Sequence, residues 1–163
     1  MFRSVLFLVA LLAAAPALAQ EPQGCGSFKW PLDQERALLA KASPLASGGA
    51  LPQVAAAVTV TLAPLAQAKL PTPPSRAPKY PDSYAGFLNA PAPEAGTYRI
   101  TIAQGAWIDV IQDGQTLKSA GFTGAKGCDG LAKSVKFDLA PSPYVIEVSG
   151  TSAHAIALVV TPD

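Results

Sequence analysis

Side chains able to do acid–base or nucleophilic chemistry are scarce in this sequence, so their spacing decides what they can do. His154 is the sole histidine and follows Gly150-Thr151-Ser152-Ala153. An imidazole titrates near neutrality and suits a general base, but such a base needs an orienting partner, and no partner motif surrounds it. His154 therefore reads as a surface-turn residue. Ser152 stands two positions away, yet no nucleophile-elbow pattern surrounds any serine, and a Ser-His-Asp site is not expected. Asp109, Asp113 and Asp129 offer oxygen ligands. A calcium loop needs such ligands at fixed odd spacings with a closing glutamate, which is missing. Asp113 and Asp129 each precede glycine, and turn formation accounts for both. The run Gly121 to Gly130, with Lys126, lacks the Gly-Lys-Ser/Thr core and following helix of a phosphate loop. No catalytic residue, metal or cofactor is expected, and the chain reads as a non-enzyme.

Cys25 and Cys128 are the two cysteines. Cys-x-x-Cys redox spacing is absent, and two thiols without histidines are too few for zinc. In an exported chain the expectation is one disulfide between them. Closing a loop of about 100 residues restricts the unfolded chain by roughly 4–5 kcal/mol in the loop-entropy model. That is large beside a typical stability of about 5–15 kcal/mol.

Export is read from the first residues. Arg3 supplies a positive start, Val5 to Ala15 is apolar and uncharged, and Ala17-Leu18-Ala19 has the small-x-small pattern of a cleavage site. A signal peptide over residues 1–19 is predicted, with Gln20 as the first mature residue. The apolar run falls short of the roughly 20 residues of a membrane span, so no transmembrane segment is expected after cleavage. Pro22-Gln23-Gly24 before Cys25 does not make a lipidation signal. Periplasmic or secreted localisation follows. The whole chain carries 12 Lys and Arg against 11 Asp and Glu, and cleavage removes Arg3 and no acid. A neutral mature chain speaks against nucleic acid, whose binding rests on clustered positive charge, and gives no electrostatic reason to seek anionic membranes. Hydrophobic residues make up 50% of the chain, many of them alanine, so a core rich in small residues is expected.

Elements must position whatever contacts the protein makes. Residues 20–53 form an N-terminal extension with a short helix predicted from Asp33 to Ala42. Asp33 is its expected cap, acids come early and bases late, and Pro44 stops it. Phe28 and Trp30 are its docking anchors. Ser43 to Gln53 reads as loop. Residues 54–163 make the main domain. Val58 to Leu62 alternates with period two, as do Tyr98, Ile100 and Ile102 against Arg99 and Thr101. Strands also follow at Trp107 to Gln112, Gln115 to Ala120, around Val135 to Leu139, at Tyr144 to Ser149, and around Ile156 to Val160. Asp113-Gly114 predicts a tight hairpin turn, and Gly121 to Gly130 a glycine-rich loop. About seven short strands with closely spaced turns predict an all-β, antiparallel β-sandwich. Arg99, Lys118, Lys136 and Glu147 fall on outward positions, as solvated faces require.

Residues 70–93 differ in kind. Pro71, Pro73, Pro74, Pro78, Pro81, Pro91 and Pro93 make regular helix or central strand improbable, and a long crossing segment over the surface is expected. A structureless stretch of that length is usually functional or disordered. Arg76, Lys79, Tyr80, Tyr84 and Phe87 lie between the prolines without visible core demand, and they are the candidate binding residues. Trp107 is the second candidate, because Ile108 and Val110 claim the opposite face of its strand. Trp107, Tyr98 and Tyr144 suit ring stacking on a sugar or, equally, core pairing.

From about Val54 to Pro162 the pattern resembles the prepeptidase C-terminal type of β-sandwich. The matching stretches are Gly96-Thr97-Tyr98-Arg99-Ile100, Trp107-Ile108-Asp109-Val110, Ser134 to Leu139 and Tyr144 to Gly150. The resemblance implies a non-catalytic module accompanying exported proteins. The front segment Cys25-Gly26-Ser27-Phe28-Lys29-Trp30-Pro31-Leu32-Asp33, with Ala106 to Val110, resembles small uncharacterised exported bacterial proteins, some carrying a homogentisate dioxygenase label. Such an enzyme holds iron with histidines and a carboxylate, and His154 alone does not supply that ligand set. The expected function is binding of a protein or cell-envelope component, with a carbohydrate-binding module as the alternative.

Overall fold

The computed structural model describes residues 23–163. The expected signal peptide at 1–19 and its cleavage before Gln20 lie outside the described residues. Among the described residues the chain forms one α-helix, α1 (Asp33–Leu39), two short 3-10 helices at Cys25–Ser27 and Leu65–Gln67, and strands β1 (Ser43–Ala46), β2 (Val58–Thr61), β3 (Ala63–Pro64), β4 (Tyr84–Ala90), β5 (Gly96–Ile102), β6 (Trp107–Gln112), β7 (Gln115–Thr116), β8 (Gly121–Gly124), β9 (Lys133–Leu139), β10 (Tyr144–Thr151) and β11 (Ala155–Pro162). They build a six-stranded sheet in the order β1-β2-β11-β5-β9-β8 and a five-stranded sheet in the order β3-β4-β10-β6-β7. Only β1 and β2 pair in parallel. The fold is the expected all-β sandwich.

Period-two alternation does the sorting. Ile100 and Ile102 of β5, Phe137 of β9 and Ile156, Leu158 and Val160 of β11 point between the sheets, where they meet Leu88, Val110, Ile146 and Val148. Each is almost completely buried. Burying one such side chain contributes about 1.5–3 kcal/mol. This core is built from Ile, Val and Leu rather than small residues, since many alanines fall in residues 1–19 or in half-exposed loops.

Asp113 and Gly114 have φ of 50° and 75°, the paired positive values that a type I′ turn demands. They join β6 to β7, which is only two residues long instead of running to Ala120.

Three segments expected as irregular contain strands. Ser43–Ala46 is β1, where Pro44 is tolerated because the strand lies at a sheet edge. Gly121–Gly124 is β8, also an edge. Tyr84–Ala90 is β4, which pairs with β10 from Tyr144↔Ala90 to Val148↔Gly86. Pro81 and Pro91 flank β4 without entering it, so no ladder donor is lost. The irregular crossing is therefore residues 70–83.

The helix ends at Leu39, short of Ala42, and Leu32 occupies its cap position with no side-chain capping bond. Asp33 is instead the first helical residue. Leu32 and Leu39 bury against Val159, Cys128 and Leu131, with Phe28 and Trp30 packed alongside. Glu35 also turns inward and is buried. It accepts a hydrogen bond from Thr161 Oγ1 at 2.9 Å and pairs with Arg99 Nη1 at 3.2 Å. The disulfide joins Cys25 to Cys128, with Cα atoms 4.8 Å apart, and Arg36 donates from Nη2 to Sγ of Cys128 at 2.6 Å. Helix and disulfide together cover the outer face of the six-stranded sheet.

Candidate functional site

The outer face of the other sheet is covered by residues 70–83. Its prolines cannot donate to a ladder, but the chain between them still carries backbone donors that must find acceptors. Two carboxylates on the sheet supply them. Thr72 donates from N at 2.9 Å and from Oγ1 at 3.1 Å to Glu147 Oε1. Ser75 donates from N to Asp109 Oδ2 at 3.0 Å and from its hydroxyl to Asp109 Oδ1. Trp107 Nε1 donates to the same Oδ1 at 3.0 Å and to Ser75 Oγ at 2.9 Å. Glu147 and Asp109 are direct cross-strand neighbours, and both are buried. Glu147 thus points outward along its strand, as expected, but is not solvated. The strap covers it. Burial pushes its pKa upward, Thr72 pulls it down, and the neighbouring Asp109 charge adds to the rise. Its Oε2 has no hydrogen-bond partner among the described residues.

Fixing the strap at Thr72 and Ser75 determines what it displays. Arg76, Lys79 and Tyr80 are exposed, with 59% of Tyr80 open to solvent. The Lys79 ammonium lies 5.3 Å from the Tyr80 ring centroid. Arg76 lies 5.1 Å from the ring centroid of half-buried Trp107, and Lys133 Nζ lies 5.5 Å from the same centroid. The indole therefore has its N–H satisfied within the protein and two cations over its ring. Lys133 donates to the Ala106 carbonyl at 2.6 Å. Its pKa is lowered, first by burial and then by Arg76.

Arg76, Lys79 and Tyr80 thus lie together on the strap, with Trp107 beside them. Tyr84 and Phe87 belong to β4 and are half-buried. Tyr84 packs its ring 4.2 Å from that of His154, while Phe87 lies opposite Glu147 and beneath Gly48. Asp113 accepts from Ser142 Oγ at 3.0 Å across the hairpin turn. No group of three or more His, Cys, Asp or Glu side chains is placed to hold a metal among the described residues.

The sequence reading missed Thr72 and Ser75 as anchors and Asp109 and Glu147 as their acceptors. A weak signal existed: an acid on each of two apolar strands, with the remaining N–H groups of a proline-rich segment in need of partners.

Among the described residues no helix is long and apolar enough to cross a membrane. The disulfide fits an oxidising compartment. Comparison with family models, with curated proteins and with solved structures returns no match.

Proposed function

We propose that this chain is a non-enzymatic, periplasmic or secreted β-sandwich that binds a protein component of the cell envelope through its proline-rich strap. The observation that supports this reading is the strap's division of labour. Thr72 and Ser75 are held by buried carboxylates, whereas Arg76, Lys79 and Tyr80 face solvent. A segment ordered in advance loses little conformational freedom on binding, and tyrosine and arginine are among the side chains enriched at interface hot spots.

Simultaneous Arg76→Ala, Lys79→Ala and Tyr80→Ala substitution tests it. The variant should keep the native melting temperature within about 6 °C, since each of the three surface changes costs about 0.5 kcal/mol or less. In-cell crosslinking should yield a discrete partner with the native chain and lose it with the variant. An identical crosslinking pattern for both would remove the strap as the contact surface.

A further inference from the structure

Near the disulfide lies a cleft of about 740 Å³, within the roughly 300–1,000 Å³ typical of small-molecule sites. Its walls come from β8, the segment 125–133, the turn after β5 and Lys29. Among the described residues Lys29 and Lys133 line it, and no Asp or Glu does. In a chain whose acids and bases nearly balance, that is a local segregation of positive charge.

Neither Lys29 nor Lys133 has a carboxylate within ion-pair distance among the described residues. Lys29 Nζ instead lies 5.1 Å from the ring centroid of Phe122, a side chain left 60% exposed. Lys133 is held by the Ala106 carbonyl, so its position is fixed before anything binds. Phe122, Leu131 and several alanines supply an apolar surface between the ammonium groups. Cations without carboxylates beside exposed apolar surface form a complement to a molecule that is itself divided into charge and hydrocarbon.

We propose that this cleft binds an amphipathic organic anion, its carboxylate, phosphate or sulfate head paired with Lys29 and Lys133 and its apolar body laid against Phe122 and Leu131. Arg76, Lys79 and Tyr80 do not line the cleft, although Arg76 shares the Trp107 ring with Lys133, and the proposal stands whether or not the strap captures a partner.

The test is titration of the purified protein with laurate, followed by calorimetry. Binding should saturate at one equivalent, and dodecanol, with the same tail and no charge, should bind at least about tenfold more weakly. Lys29→Glu is the principal variant, because the backbone N–H of Lys29, which the substitution keeps, makes its bond to Thr123 Oγ1, and its ammonium overlies only the exposed ring of Phe122. It should keep its melting temperature and lose at least about tenfold in laurate affinity, equivalent to about 1.4 kcal/mol. Phe122→Ala, on an exposed ring, should weaken laurate similarly without changing affinity for inorganic phosphate.

Phosphatidylglycerol vesicles form the second arm. Cosedimentation that Lys29→Glu abolishes would identify a lipid headgroup as the source of the anion, and laurate binding without cosedimentation a free amphiphile. Binding to neither probe, or binding indifferent both to head charge and to Lys29→Glu, would overturn the proposal. A Lys79→Ala, Tyr80→Ala double variant, which leaves Arg76 beside Lys133 in place, should bind laurate normally, which keeps the two readings separable.

Discussion

Glu147 and Asp109 stand opposite one another on β10 and β6, and each holds one point of the same overlying strap. Glu147 accepts from Thr72 and Asp109 from Ser75. Two neighbouring acids on a sheet face would ordinarily repel in solvent. Here they serve as acceptors for a backbone that prolines have barred from the ladder. The arrangement stores an electrostatic cost, because Glu147 is buried with one oxygen unpartnered.

That cost has a pH signature. A carboxyl whose pKa is raised on folding stabilises the fold while protonated, below its unfolded value near 4.5, and this contribution is lost as pH rises through the folded pKa. Glu147→Gln keeps an acceptor for Thr72 and removes the charge. It should therefore be more stable than the native protein at pH 7, with the gap closing as pH falls through the raised folded pKa and gone below the unfolded value near 4.5. Thermal melts across that range check this. A Gln variant less stable at pH 7 by a margin that vanishes at low pH would show the charge to be favourable.

Tyr144 gives a second, alkaline signature. Its hydroxyl is buried without a partner, and burial, aided by Tyr98, pushes its pKa up to about 12. The unfolded chain releases that proton near pH 10. Stability should hold below about pH 10 and fall as pH rises towards about 12. Tyr144→Phe should remove that component of the slope and cost less than about 1 kcal/mol at neutral pH, since no hydrogen bond is lost. Urea denaturation at neutral and alkaline pH measures both.

Glu35 ties α1 to the six-stranded sheet through Thr161 and Arg99. Removing one member of a buried pair typically costs about 3–5 kcal/mol. The Arg99 side chain retains 16% exposure, so Glu35→Ala should cost about 3 kcal/mol. Glu35→Gln should cost less, because Thr161 keeps its acceptor. Equilibrium unfolding gives the numbers, and a loss below about 0.5 kcal/mol would mean that Leu32 and Leu39 dock the helix unaided.

The disulfide closes a sequence separation of 103 residues. Replacing both cysteines with serine should cost about 4 kcal/mol, mainly by freeing the unfolded chain. Thiol titration of the denatured, unreduced native protein should find no reactive sulfhydryl. Two reactive thiols per chain would contradict the bond.

How far the sequence could be read depends on the range of the interaction involved. Alternation in Tyr98-Arg99-Ile100-Thr101-Ile102 exposes a strand because side-chain period is a local property. Asp113-Gly114 exposes a turn because its positive φ values are local as well. β1, β3 and β8 were hidden because short edge strands are defined by the neighbour they pair with. β4 was hidden because Pro81 and Pro91 made its surroundings look irregular, although neither falls inside it.

The candidate contact residues divide along the same line. Arg76, Lys79 and Tyr80 stand exposed on the strap, whereas Tyr84 and Phe87 went into a strand. Lys29 comes from the front segment and Phe122 and Lys133 from the paired strands β8 and β9, so they share a cleft only after folding.

By itself the sequence determined the sandwich class, the principal strands and the pairing of its two cysteines, because hydrophobic period, turn chemistry and parity are written along the chain. Only the tertiary structure decided that Glu147 and Asp109 are buried anchors rather than solvated charges. Exposure of an outward-facing residue depends on what another segment lays over it, and no local pattern encodes that.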